Sequence, residues 1–214
     1  MNELEYNKVY KVYDKIAEHF SQTRVIIWPK VEEFIENIKS GSIILDLGCG
    51  NSKNMGQRKD CKYIGLDICE KLLKECKKDK NCEYIVGNCI NVPLKNECVD
   101  YIMSIAVIHH LSTKDKREKS IEEISRLLKK GGRGLIYVWA YEQKKFKNEK
   151  EQDVLVKWNL QKKYNNNEED IVLERYYHLF IKNELENLIK NVKKIKIIEN
   201  GIQCNNYYCI IEKI

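Results

Sequence analysis

The segment Ile43-Ile44-Leu45-Asp46-Leu47 runs straight into Gly48-Cys49-Gly50. A short, nearly continuous apolar run reads as a buried parallel strand. The glycine turn after it lets backbone approach a ligand closely. The signal recurs downstream. Residues 62–67 read as a second strand ending in a carboxylate, 83–86 as a third, 99–107 as a fourth and 134–140 as a fifth. Residues 68–78 and 114–130 read as helices. The second carries Ile121, Ile124, Leu127 and Leu128 on its apolar face, with Gly131-Gly132 as its stop. Such alternation predicts an α/β sheet with parallel strands.

Helical spacing also marks residues 9–20, through Val9, Val12, Tyr13, Ile16 and Phe20, and residues 31–38 after Pro29. These two form an N-terminal helical extension at about 6–40. The segment from about 141 to 174 breaks the pattern. It opens with Lys144, Lys145, Lys147 and Lys150, continues to Asn165-Asn166-Asn167, and reads as a polar, irregular, partly mobile insertion. A helix at 180–192 follows. Two strands, 193–199 and 206–213, flank a turn signalled by Asn200-Gly201, so the sheet should end on an antiparallel strand.

A chain of 214 residues suits one domain, 1–214. No apolar run reaches the roughly 18 residues of a membrane span. The first residues lack the basic head and apolar middle of a secretion signal, so a cytosolic location is expected, with the nucleus open. Nine cysteines are an odd number with no C-x-x-C pair. They predict neither a disulfide framework nor a metal site, but small buried apolar side chains. The net charge of +6 is a mild excess, compatible with RNA.

Asp67 lies 17 residues after Gly50, at the end of the next strand. A carboxylate there can accept hydrogen bonds from ribose hydroxyls. The turn and the acid together indicate an adenosine-containing cofactor. A pyrophosphate fingerprint would need glycine where Lys53 stands, and no Walker sequence exists. An acid, Asp46, just before the turn fits S-adenosylmethionine better than a nicotinamide dinucleotide. After the third strand, Asn88 offers a carbonyl oxygen to an adenine amino group.

Asp46 to Gly50, Gly65-Leu66-Asp67, Gly87-Asn88 and Gly131-Gly132 resemble the successive landmarks of class I S-adenosylmethionine-dependent methyltransferases. That resemblance implies a Rossmann-like, mostly parallel seven-stranded sheet with flanking helices. A narrower likeness is more specific. Phe20-Ser21-Gln22-Thr23-Arg24, Trp28-Pro29, the 104–110 string ending in His109-His110, residues 135–143 and Arg175-Tyr176-Tyr177-His178-Leu179 resemble the eukaryotic tRNA wobble-uridine methyltransferases. Those enzymes esterify 5-carboxymethyluridine at position 34. Ser52 and Asn88 depart from the family pattern, which has glycine and an acid there.

The resemblance implies S-adenosylmethionine held by Asp46, Gly48, Cys49, Gly50, Asp67, Ile68, Asn88, Cys89 and Ser104. A carboxylate substrate is ionised at neutral pH, so no general base is needed. Arg24 and Arg175 are the expected clamps for the carboxylate or a neighbouring phosphate, and His110 is expected to orient substrate. Trp28, His109, Tyr176, Tyr177 and His178 are the expected contacts to the tRNA anticodon loop. Lysines from 144 to 163, and Lys190, Lys193, Lys194 and Lys196, are candidates for tracking phosphates. The family also implies a small zinc-binding activator subunit, expected along the edge strand 83–86. The alternatives are a class I methyltransferase of a small metabolite and a catalytically degenerate scaffold, the latter favoured by Ser52 and Asn88.

Overall fold

A computed structural model describes residues 1–165 and 169–214. Among the described residues, nine strands form two sheets. The main sheet has the order β3-β2-β1-β4-β5-β9-β8. Its strands are β1 (Ile43–Leu47), β2 (Lys62–Asp67), β3 (Cys82–Val86), β4 (Val99–Ile105), β5 (Leu128–Trp139), β8 (Ile195–Gln203) and β9 (Asn206–Lys213). Strands β3, β2, β1, β4 and β5 pair in parallel, and β9 is antiparallel to both β5 and β8. Strand order reverses between β1 and β4, where the carboxyl ends of the strands open a crevice. The expected seven-stranded sheet with an antiparallel C-terminal strand is present.

The alternation of side chains across each strand builds two cores. On one face Leu45, Leu47, Ile102, Ile136 and Val138 meet α5 (Lys114–Leu127) and α6 (Glu184–Lys190) through Ile121, Ile124, Leu185, Leu188 and Ile189. On the other face Ile44, Tyr63, Met103 and Tyr137 meet Val31, Phe34 and Ile35 of α3 (Pro29–Glu36). Pro29 opens α3, where its missing N–H costs nothing. Thr113 caps α5 by accepting from the Lys116 N–H.

The N-terminal extension is helical from α1 (Glu3–Glu5) through a π-helical turn (Tyr6–Tyr10) into α2 (Lys11–Thr23), ahead of α4 (Glu70–Lys74). It is tied to the domain by Glu5. That buried carboxylate accepts from the Ser112 N–H and hydroxyl, and pairs with Lys116 at 2.7 Å.

Several boundaries differ from the sequence expectation. The helix expected at 68–78 is the five-residue α4. The helix expected to 130 ends at Leu127, because Leu128 already pairs with Val99 in the sheet. The helix expected at 180–192 is the shorter α6. Asn200-Gly201 is not a turn. Both residues lie inside β8, and Gly201 is opposite Tyr208, whose hydroxyl would stand 2.9 Å from a Cβ there. The hairpin turns instead at Cys204-Asn205, with φ values of 49° and 60° that match a left-handed two-residue turn.

The largest correction concerns the polar insertion at 141–174. Asp153–Leu160 forms β6 and Ile171–His178 forms β7, an antiparallel ribbon in register from Asp153↔His178 to Leu160↔Ile171. The ribbon lies against α2. Val12, Ile16 and Leu160 form one small cluster, with Tyr13, Phe20, Trp158 and Leu173 around it. Of the asparagine run, Asn166 and Asn167 lie outside the described residues.

Candidate active site

A cavity of about 440 Å³ opens over the carboxyl ends of β1, β2 and β4, roofed by the N-terminal helices and the ribbon. Gly48, Cys49, Gly50, Asp67, Ile68, Asn88 and Cys89 line it. Gly48 adopts φ +84°, and a Cβ there would lie 2.3 Å from Val107 Cγ2, so only glycine fits. The Asp67 carboxylate holds the turn: its oxygens accept from the Gly50 N–H at 2.9 Å and the Cys69 N–H at 2.8 Å. Burial raises the Asp67 pKa, and those backbone N–H groups oppose the rise. Asn88 Oδ1 accepts from the Ile90 N–H at 3.1 Å, which fixes the side chain and leaves one lone pair.

Two expected cofactor residues sit behind this wall. Asp46 and Ser104 are buried and are not among the lining residues. Both Asp46 oxygens and the Ser104 hydroxyl lack a hydrogen-bond partner among the described residues. Burial, then the neighbouring Asp67 charge, pushes the Asp46 pKa up to about 7. A carboxyl raised in the fold is neutral at low pH and destabilises the fold once it ionises. The penalty therefore grows from about pH 4 and levels off above pH 7. Asp46→Asn should raise the melting temperature of the ligand-free protein at pH 8, with a smaller gain at pH 5. A gain independent of pH would contradict the shifted carboxyl.

Ser52 stands where the family pattern has glycine. It does not line the cavity. Its hydroxyl accepts from Tyr84 at 3.1 Å, and its backbone holds φ 59°. The left-handed conformation explains why glycine suits this position, and the Tyr84 bond offsets part of the strain. Ser52→Gly should be more stable than Ser52→Ala by about 1 kcal/mol, since both lose the bond and only glycine relieves the strain. Urea unfolding of the two variants measures the gap.

Six of the residues expected to contact substrate meet in the same cavity. Arg24, Trp28, His109, His110, Arg175 and Tyr177 all line it. Arg175 is 3% exposed, yet no carboxylate lies within ion-pairing distance among the described residues. Its guanidinium stacks on Trp158, Tyr177 and Tyr13, 4.7, 5.3 and 5.8 Å from the ring centroids. Its Nε–H is buried without an acceptor. Arg24 lies over Phe20 and the same Trp158, at 5.0 and 5.5 Å, also without a carboxylate. Asn51, beside the glycine turn, donates to the Arg24 and Ser21 carbonyls and so links the turn to this arginine.

Neither histidine is placed to carry charge. Burial, with His110 and Arg175 nearby, holds the His109 pKa well below the usual imidazole range, and burial lowers His110 to about 3. His109 Nδ1 accepts from the Trp139 N–H, while His110 Nδ1 faces the Tyr176 carbonyl at 2.8 Å.

Tyr176 and His178 do not reach the cavity. Along β7, Arg175 and Tyr177 face it, so Tyr176 and His178 point the other way. Tyr176 donates to Asp153, and His178 bridges Asp153 and Glu184, each at 2.7 Å. Burial raises both carboxyls, but the bonds to His178 outweigh it and hold them below their ordinary values. These residues fasten the ribbon to α6. Lys190, Lys193, Lys194 and Lys196 lie at or before the start of β8, at the end of the sheet away from the cavity. Lys53 and Lys145 stand nearer the substrate side, over Trp28 and Trp139.

Two site residues escape the sequence reading, Tyr13 and Trp158. Tyr13 belongs to the apolar stripe of α2. Trp158 is signalled only by the two-residue period of Val154, Val156, Trp158 and Leu160.

A family model described as a methyltransferase domain matches residues 45–136. A tRNA (carboxymethyluridine(34)-5-O)-methyltransferase of Schizosaccharomyces pombe is 38% identical, over 99% of both chains. An Arabidopsis thaliana protein of the same name is 48% identical over 73% of this chain but only 37% of its own length. A solved complex between the Haloferax volcanii Trm112 methyltransferase activator and a methyltransferase contains a chain of the same fold. It has a TM-score of 0.69 at 12% identity, covering 96% of this chain and 98% of that one. With the fold, the glycine turn and the full-length likeness in agreement, this chain belongs to the tRNA (carboxymethyluridine(34)-5-O)-methyltransferase family.

Proposed function

We propose that this protein transfers a methyl group from S-adenosylmethionine to the carboxylate of 5-carboxymethyluridine at the tRNA wobble position, giving the methyl ester. The observation that carries the reading is Arg175, a buried cation that opens onto the cavity with no carboxylate in ion-pairing distance among the described residues. Removing a charge from water without a counter-ion costs several kcal/mol. Three aromatic faces offset part of that cost. A substrate carboxylate would supply the rest.

The residues present fit the cofactor. Gly48 to Gly50 and Asp67 would hold the ribose side and Asn88 and Cys89 the adenine side, and the two unpartnered oxygens of Asp46 lie beneath the turn. When bound, S-adenosylmethionine supplies an electrophilic methyl group. Arg175 orients the acceptor carboxylate, with Arg24 beside it. No proton has to leave that carboxylate, which agrees with two histidines held neutral. Alignment of this kind is worth roughly 7–11 kcal/mol in favourable cases. The ester is uncharged and loses the ion pair with Arg175, which favours its release.

The partner reading is part of this proposal. β3 is an edge of the sheet, with Glu83 and Val86 exposed, and can accept a strand from an activator subunit. The test is methyl transfer from labelled S-adenosylmethionine to carboxymethyluridine tRNA, with and without a zinc-binding activator, followed by nucleoside analysis. An alkali-labile ester on the wobble uridine is expected. Cofactor binding with no transfer to this tRNA in either condition would overturn the substrate.

A further inference from the structure

Tyr13 stands where three cavity residues meet. Its hydroxyl lies 3.0 Å from His110 Nε2, 3.3 Å from the Tyr177 hydroxyl and 3.3 Å from Arg175 Nη1. The directions of these bonds follow from chemistry. A backbone carbonyl can only accept, so His110 Nδ1, 2.8 Å from the Tyr176 oxygen, carries the ring proton. Nε2 is then the bare nitrogen and takes the single hydrogen of the Tyr13 hydroxyl. The tyrosine lone pairs are left to Arg175 and Tyr177. We infer that Tyr13 is a positioning residue, and that His110, by taking its hydrogen, turns the Tyr13 oxygen into an acceptor that aims the Arg175 guanidinium at the substrate carboxylate.

The inference rests on the carboxylate reading of the cavity and goes beyond it. It gives His110 a role that reaches the substrate through two residues, Tyr13 and Arg175. It also explains why Arg175, which touches no acid among the described residues, keeps a defined orientation. The Trp158 and Tyr177 rings under Arg175 Cζ limit where the guanidinium sits, and the Tyr13 bond limits how it turns there. Tyr13 sits on α2 and Arg175 on β7, so the bond also joins two elements outside the main sheet.

The test uses the full chain with its activator and two anticodon stem-loop RNAs. One carries 5-carboxymethyluridine and the other the same base with an amide in place of the acid. The wild-type protein should bind the acid RNA more tightly than the amide RNA. Tyr13→Phe keeps the ring and should raise KM for the acid RNA about tenfold while leaving inhibition by the amide RNA unchanged. Arg175→Gln should abolish the preference, and adding Tyr13→Phe to it should cost nothing further, because one residue acts through the other. A Tyr13→Phe variant with its full preference for the acid, or effects that multiply, would overturn the inference alone. A wild-type protein with no preference for the acid would overturn the carboxylate reading itself.

Discussion

Arg175→Gln should lower kcat/KM for carboxymethyluridine tRNA by roughly 30- to 3,000-fold, as truncating one partner of a buried, charged pair costs about 2–5 kcal/mol. The loss should appear with the ligand-free fold intact. In the free protein Arg175 is 3% exposed and has no counter-ion among the described residues, so replacing it removes a desolvation cost along with its aromatic contacts. The melting temperature should therefore stay level or rise while activity falls. Steady-state kinetics and a thermal scan of the same preparation separate the two quantities. A variant that melts well below the wild type with activity scaled to its folded fraction would make Arg175 structural. Arg24 is half-buried and has no carboxylate partner among the described residues, so Arg24→Gln should cost less, about tenfold.

Gly48→Ala has the largest expected effect on the fold. The new Cβ would stand 2.3 Å and 2.7 Å from the two methyl groups of Val107, in a backbone held at φ +84°. Left-handed backbone costs a non-glycine residue about 1–2 kcal/mol, and overpacking a tight site about 1–3 kcal/mol. A loss of roughly 2–5 kcal/mol follows, a large share of a typical domain's stability. Val107→Ala in the same chain should recover the steric share and leave the backbone share. Urea unfolding of the single and double variants decides this. If Val107→Ala rescues nothing, the clash is not the cause.

Much of the sheet is legible locally. The expected bounds of the first two strands, 43–47 and 62–67, are those observed. Both are buried, so hydrophobic continuity alone marks them. The ribbon is different. Residues 153–160 alternate cleanly, with Val154, Val156 and Leu160 buried, but Lys157 and Asn159 between them give the segment a polar average. A lone two-stranded ribbon is marginal in water, and this one persists because α2 covers it, more than 130 residues away in the chain. Asn200-Gly201 misleads for a related reason. The glycine makes room for the Tyr208 ring across the hairpin, and no local rule distinguishes that from a turn.

The strand that ends in Gly48-Cys49-Gly50 and the acid 17 residues beyond it are legible in the chain alone. Each depends on residue type at short spacing, where backbone freedom and carboxylate charge act without help from the rest of the chain. Only the tertiary structure decided that Tyr177 faces the cavity while Tyr176 and His178 face away, because the side of a strand is chosen by what packs on it. Folding alone joined Tyr13 to Arg175, 162 residues apart, and left that arginine without an acid among the described residues. A buried charge is compensated or not according to its neighbours in space, and no spacing along the chain records them.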